Sequence, residues 1–470
     1  MAPLRKILVI GGGPAGSVTA TLLAREGLDV HLLEREHFPR YHIGESLTPS
    51  TRTVLDLLGL SGRLDAGGFQ IKRGGVFRWG SDEWVVDWSK LFGPQVCSWQ
   101  VDRAAFDQLL LENAEASGVT VDQGVAARNV VFDSGRPVSV TCTRDRGEPF
   151  VIDDFDFLVD ASGRSGLLST RHLGNRRPHP LFRNVAIWGY WANAGQLPLT
   201  PEGGINVISS PDGWYWIIPL ADGRTSVGLV SPKDVFARHR SRHSSPEELY
   251  HALIGRSAAV GDLLREAEFR PAVRVETDYS YTADAFSGPG HMLVGDAACF
   301  LDPLLSTGVH LAMYSGLTAA ASIAANARGE VTGQEALGFF EYTYRRAYTR
   351  LLALVSSMYD DYDTKEDFFW TAERLVHGDH GAGRSGAAPF GEIIAGLSDL
   401  REATVSSTRV LTERLTDEAF RVQRRAMAGG TGRPDLAPLR ESPLDDNEWR
   451  GWQLVTEPRL GLARSEGDGK

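Results

Sequence analysis

The chain has 470 residues, 42% of them apolar and 23% charged, with a formal net charge of −11. That length calls for two or three structural units around a large core, and the acidic balance argues against nucleic acid as the main partner. The three cysteines, Cys97, Cys142 and Cys299, form no CxxC pair or Cys/His cluster, so neither a disulfide framework nor a metal site is expected and a reducing, cytoplasmic setting fits.

Residues 5–10 form a short apolar run that suits a buried parallel strand. It leads straight into Gly11-Gly12-Gly13, which is too abrupt for a signal peptide, and no run reaches the roughly 20 apolar residues of a membrane span. A helix over Ser17–Arg25 and a strand over Asp29–Leu33, ending at Glu34, complete a βαβ unit. A Gly/Ser/Thr/Pro loop then precedes a helix over Thr51–Leu58. Residues 70–88 read as strands and Asp102–Ala116 as an amphipathic helix. Residues 119–143 alternate like short antiparallel strands, and Phe155–Val159 is a buried strand ending at Asp160. Residues 184–230 suggest an antiparallel sheet rich in tryptophan. One or two helices follow over 245–266, then a strand over 272–282 returning toward the first unit. Met292–Val294 is a further strand, Val309–Ala327 a helix dense in alanine, and 334–376 helical with the aromatic run Phe368-Phe369-Trp370. A loop is expected over 377–391, a helix over 409–427 and an irregular tail.

Gly11-Gly12-Gly13-Pro14-Ala15-Gly16 satisfies GxGxxG between a strand and a helix, the context in which glycines let backbone approach a pyrophosphate at a helix N-terminus. Glu34, at the end of the next strand, is placed to accept hydrogen bonds from a ribose and would repel a 2′-phosphate. Gly295-Asp296 and Asp160-Ala161-Ser162-Gly163 each follow a buried strand. With these segments the sequence resembles the glutathione-reductase-like FAD family, in the branch of para-hydroxybenzoate hydroxylase. The resemblance implies an α/β fold with an α+β insert. FAD would bind a discontinuous domain (1–68, 97–182 and 275–335), an antiparallel β-sheet substrate domain would comprise 69–96 and 183–274, and 336–470 would be a mostly helical C-terminal region and tail. The implied FAD contacts are Gly11, Gly13, Pro14, Ala15, Gly16, Glu34, Arg35, Ser46, Arg103, Asp160, Asp296, Pro303 and Gly308.

Further segments resemble flavin-dependent halogenases of the phenol or pyrrole type. Trp214-Tyr215-Trp216-Ile217-Ile218-Pro219 fits WxWxIP, with two indoles on one strand face. Phe38-Pro39-Arg40-Tyr41-His42-Ile43-Gly44-Glu45-Ser46-Leu47 looks like the matching loop. Lys72, in Ile71-Lys72-Arg73-Gly74-Gly75, matches the family's lysine. A lone lysine is usually a surface charge, but a desolvated one supplies a neutral amine that captures hypohalous acid. In Asp302-Pro303-Leu304-Leu305-Ser306-Thr307-Gly308-Val309-His310, the N–H groups of Thr307 and Gly308 offer a halide nest at a helix start. His310 reads as a packed interior histidine.

The resemblance implies reduced FAD delivered by a separate reductase, O2, and chloride or bromide. A flavin C4a-hydroperoxide would turn halide into hypohalous acid, which Lys72 directs onto an aromatic ring. That ring would be free or tethered to an acyl or peptidyl carrier protein, in secondary-metabolite biosynthesis. The rival readings are an FAD-dependent aromatic hydroxylase and a non-catalytic flavin-binding protein.

Overall fold

The apolar run at the N-terminus forms strand β1 (Lys6–Ile10), followed by helix α1 (Pro14–Arg25) and β2 (Asp29–Glu34). In this computed structural model the described residues are 4–145, 147–179, 182–277, 280–359, 372, 387–404 and 451–464. After α2 (Pro49–Leu57) come β3 (Gln70–Lys72), β4 (Gly74–Trp79), β5 (Asp82–Asp87) and β6 (Ser98–Gln100). Helix α3 (Arg103–Ala116) starts where the Asp102 carboxylate accepts the Ala104 and Ala105 N–H groups, an N-cap that satisfies two otherwise orphaned donors. The chain continues through β7 (Thr120–Gln123) and β8 (Phe157–Asp160). It then builds β9 (Asn184–Ala192), β10 (Ile205–Ser210), β11 (Gly213–Pro219), β12 (Arg224–Pro232) and β13 (Glu268–Thr277). Strands β14 (Ser287–Gly288) and β15 (His291–Leu293) precede helices α4 (Gly308–Ala327) and α5 (Gly333–Met358).

Two sheets organise these elements. A six-stranded sheet has the order β14-β15-β8-β1-β2-β7, parallel from β15 to β7. Helices α1 and α4 pack on each other beside it, which is why both are small-residue helices buried along most of their length. A seven-stranded sheet has the order β13-β9-β12-β11-β10-β4-β5. One of its faces joins the main core through Trp188, Trp214 and Trp216. The other carries Ile187, Tyr215 and Ile217 and is covered by the helix Pro246–Ile254. Alternation along β11 sorts these residues, as period two requires.

Several sequence expectations need correction. Residues 120–123 do not join an antiparallel meander: β7 pairs parallel with β2, because α3 carries the chain back to that sheet edge. Val125–Asp133 and Arg136–Arg144 do pair antiparallel, with Pro149–Ile152 beside them. The strand expected to return over 272–282 is instead β13, paired with β9 until Val185 meets Thr277. The tail is not irregular throughout. Trp452–Val455 and Gly461–Arg464 form a hairpin whose Leu454, Leu460 and Leu462 are buried. Arg328 ties it down by donating to the Leu460 carbonyl at 2.7 Å. The helix Ala387–Ile394 overlaps the loop expected over 377–391. The aromatic run 368–370, the helix expected over 409–427 and residues 377–386 lie outside the described residues.

Lys72 is not on the seven-stranded sheet. Among the described residues strand β3 pairs only with β6, in register Lys72↔Ser98, so the lysine belongs to a separate two-stranded ribbon.

Candidate active site

A cleft of about 530 Å³ runs from the carboxyl ends of the parallel strands, at Ile10, Leu33, Ala161 and Val294, to the tryptophan-bearing face of the large sheet at Trp188, Trp216 and Ile218. That is where open α/β sheets bind ligands, and the size suits a cofactor-scale molecule. Gly11 sits at φ +109°, and a Cβ there would lie 2.2 Å from the Ala161 carbonyl oxygen. Only glycine takes both that dihedral and that approach. Gly11, Gly13, Pro14 and Ala15 line the cleft at the start of α1, whose N-terminus favours negative charge. Gly16 lies behind them. A Cβ at Gly16 would collide with the Gly11 carbonyl oxygen at 1.9 Å, so its role is close packing.

Glu34 is buried in the cleft wall, with Oε2 accepting the Gly12 N–H at 2.7 Å and Oε1 the Glu36 N–H at 2.8 Å. The two bonds fix the carboxylate and leave lone pairs on both oxygens. Arg35 lines the same end, largely exposed beside Glu36. Asp296 lines the other end, and among the described residues none donates to its carboxylate. Burial pushes that carboxyl up to about 6, against the pull of Arg164, Arg103 and Arg176. A half-buried carboxylate facing a cleft fits a hydroxyl-rich ligand chain, and the glycine cradle fits a pyrophosphate. The residues present therefore suit FAD.

Asp160 is different from expectation. Its carboxylate accepts the Ser162 and Leu168 N–H groups at 3.0 and 2.7 Å, is fully buried, and does not line the cleft. It braces the turn after β8 and leaves Ala161, Ser162 and Gly163 facing the cleft. Arg103 lines the cleft but is committed elsewhere. Its Nε and Nη2 clasp Asp107 at 2.8 and 2.9 Å, and Nη1 donates to the Ile43 carbonyl at 2.8 Å. Arg40 reaches the same carboxylate at 2.8 Å. Sequence reading missed Asp107, although its i,i+4 spacing from Arg103 is the signal for such a pair.

The loop before α4 makes a nest. Ser306 is left-handed (φ 58°, ψ 28°) and Thr307 follows at φ −97°, ψ 0°, so successive N–H groups converge. The Thr307 and Gly308 N–H groups donate to no described residue. Pro303, Ser306 and Gly308 line the cleft, whereas the Thr307 side chain does not. His310 is buried as expected, but in a network: Ser50 Oγ lies 2.8 Å from Nδ1 and Asp399 Oδ2 2.7 Å from Nε2. Trp216 forms part of the cleft wall, and a Cβ at Gly228 would meet its ring at 2.1 Å, so that glycine makes room for the indole. Trp214 lies behind the wall, its Nε1 donating to Tyr359 Oη at 2.7 Å.

Lys72 is 2% exposed. Its Nζ donates to Ser46 Oγ at 2.7 Å and to the Leu47 carbonyl at 3.0 Å, and lies 4.9 Å from the centre of the Trp88 ring. No carboxylate pairs with it among the described residues, and burial lowers its pKa to about 7. Ser46 lines the cleft and Lys72 does not, so the amine stands one hydrogen bond behind the wall. A second unforeseen chain borders the cleft. Trp188 Nε1 donates to Tyr41 Oη at 2.8 Å, Tyr41 and Tyr190 hydroxyls lie 3.0 Å apart, and Tyr190 donates to Glu45 Oε1 at 2.7 Å. Burial pushes the Glu45 carboxyl up to about 7.

Cys97, Cys142 and Cys299 are free and buried, and no helix among the described residues is long and apolar enough to cross a membrane. The sequence model of the tryptophan halogenase family matches residues 6–98 and 90–382. The tryptophan 2-halogenase of Chondromyces crocatus is 44% identical over 404 residues, covering 85% of this chain and 77% of that protein. The sulochrin halogenase gedL of Aspergillus terreus is 36% identical over 451 residues, covering 87% and 82% respectively. The structure of the myxobacterial chondrochloren halogenase CndH, described as a variant of FAD-dependent halogenases, superposes with a TM-score of 0.72 at 35% identity, covering 89% of this chain and 97% of that one. With a dinucleotide cleft, a halogenase-like fold and this extent of identity, the chain belongs to the tryptophan halogenase family of flavin-dependent halogenases, enzymes that use FAD, halide and O2.

Proposed function

We propose that this enzyme halogenates an electron-rich ring, a phenol or a pyrrole, free or tethered to a carrier protein, and that Lys72 directs the halogen. The observation that carries this reading is a buried lysine with no counter-ion among the described residues, one hydrogen bond from the cleft wall. Reduced FAD with O2, when bound, supplies the oxidising power that converts chloride or bromide into hypohalous acid. A separate reductase provides the reduced flavin.

The chain's own residues do the rest. Gly11, Gly13, Pro14 and Ala15 receive the pyrophosphate, Glu34 the ribose and Asp296 the ribityl chain. The N–H groups of Thr307 and Gly308 hold the halide. Trp216 and Trp188 wall the cleft against a second organic ring, so the ring waits on the Lys72 side. An activated ring needs little help to accept an electrophile, which suits a site whose reactive group is an amine.

The test is a reconstitution with FAD, a flavin reductase, NADH and chloride or bromide, read by mass spectrometry. The panel comprises phenols, pyrroles, their carrier-bound forms and tryptophan, which one relative's name makes a required member. Halide-dependent mass gain on a phenol or pyrrole is expected. Hydroxylation whatever the halide overturns halogenation, and a product from tryptophan alone overturns the ring class.

A further inference from the structure

The small strand pair that carries Lys72 has an unusual face. Register sets Lys72 opposite Ser98 and Gln70 opposite Gln100, and a bridge sets Ser46 opposite Gln100. Opposed residues, and residues two apart along a strand, share a face. Gln70, Lys72, Ser98, Gln100 and Ser46 therefore lie together, with Ile71 and Trp99 on the other side. Most of this polar face is sealed from solvent: Lys72, Ser98, Gln100 and Ser46 are 2%, 0%, 1% and 5% exposed.

Its hydrogen bonding is incomplete in one place. Gln100 Nε2 donates to the Gly203 carbonyl, but Gln100 Oε1 and Ser98 Oγ have no partner among the described residues. Neither does Nε1 of Trp88, whose ring lies against the lysine. Among the described residues Lys72 itself bonds only Ser46 and Leu47. Folded proteins avoid leaving buried polar atoms unpaired, and three on or beside the face that carries the lysine can take a ligand. Trp88 can only donate, Gln100 Oε1 can only accept, and Ser98 can do either. The complementary ligand is a small molecule whose oxygen both accepts and donates, which describes water and equally hypohalous acid.

We propose that Ser98 is a positioning residue that, with Lys72, holds the oxygen of hypohalous acid. The inference rests on the reading of Lys72 given above. The step balances without another reagent. The new C–halogen bond forms as the O–halogen bond breaks, and the O–halogen electron pair stays on oxygen. The oxygen takes the ring proton and leaves as water. The halogen is reduced and the ring carbon oxidised. Donation from Ser98 strengthens as negative charge gathers on the departing oxygen, and Gln100 and Trp88 complete the set of partners.

Ser98→Ala and Ser98→Thr are compared with the wild type and Lys72→Ala in the full reductase-coupled reaction. The readouts are product per NADH consumed and hypohalous acid escaping into solution, trapped with monochlorodimedone. Ser98→Ala is expected to leave NADH consumption within twofold, to lower product per turnover about tenfold, and to raise trapped halogen in proportion. Ser98→Thr is expected to restore both. A Ser98→Ala variant with unchanged product yield overturns the proposal, and so does one that loses product without leaking halogen. If Lys72→Ala makes no halogenated product while Ser98→Ala is normal, only this inference fails. If wild type halogenates nothing, the reading beneath it fails as well.

Discussion

Two buried cations hold the same stretch of chain, residues 43–47, and they are built in opposite ways. Arg103 donates to the Ile43 carbonyl and is closed by Asp107, which Arg40 also pairs. Burial pushes the Asp107 carboxyl up, but the two guanidiniums outweigh it and hold it below the usual carboxylate range. Lys72 donates to the Leu47 carbonyl and the Ser46 hydroxyl, with burial alone acting on its charge. A cation clasped by a carboxylate is scaffold. A cation without a counter-ion gives up its proton readily and becomes an amine.

The sharpest way to break this contrast is Lys72→Ala. It is expected to cut halogenated product by about 10³-fold, within the range of a positioned reactive group, while flavin oxidation continues. Full retention of product would end the lysine's role.

Stability should separate the two cations by sign. Arg103→Leu leaves Asp107 buried with half its partners and is expected to cost about 3–5 kcal/mol in urea unfolding. Lys72→Met removes a buried charge and is expected to raise stability by a few kcal/mol at pH 6. The folded pKa of about 7 lies below the ordinary lysine value of 10.5, so between them the unfolded chain binds the extra proton. Wild-type stability should therefore climb as pH rises from about 7 toward 10.5, and the Met variant should lack that slope. A Met variant less stable than wild type at pH 6 contradicts the contrast.

The smallest expected effect is on pH. Product per turnover should rise about tenfold from pH 6 to pH 8 as the Lys72 amine loses its proton. Glu45 titrates in the same range, so the profile is measured in Glu45→Gln as well. If the rise vanishes in that variant, the carboxyl and not the amine sets it.

Legibility followed locality. The glycine loop and Glu34 at the end of the next strand are short-range features in which neighbouring residues dictate backbone shape, and both were readable, whereas the Asp102 cap was not singled out. Asp160 was misread because a carboxylate after a strand looks alike whether it meets a ligand or, as here, the Ser162 and Leu168 N–H groups. The Tyr41–Tyr190–Glu45 chain escaped notice because its members are up to 149 residues apart. The Trp452–Arg464 hairpin was missed because its buried leucines find their partners on α4, far away in sequence.

By itself the sequence determined the βαβ entry and its glycine turn, since spacing and backbone dihedrals are written residue by residue, while Lys72 was singled out through the resemblance to halogenases. Only the tertiary structure decided that this lysine is sealed from water, without a counter-ion among the described residues, and set beside Ser98, Ser46 and Trp88. Those neighbours come from separate segments, and desolvation is a property of everything packed around a group rather than of the group itself.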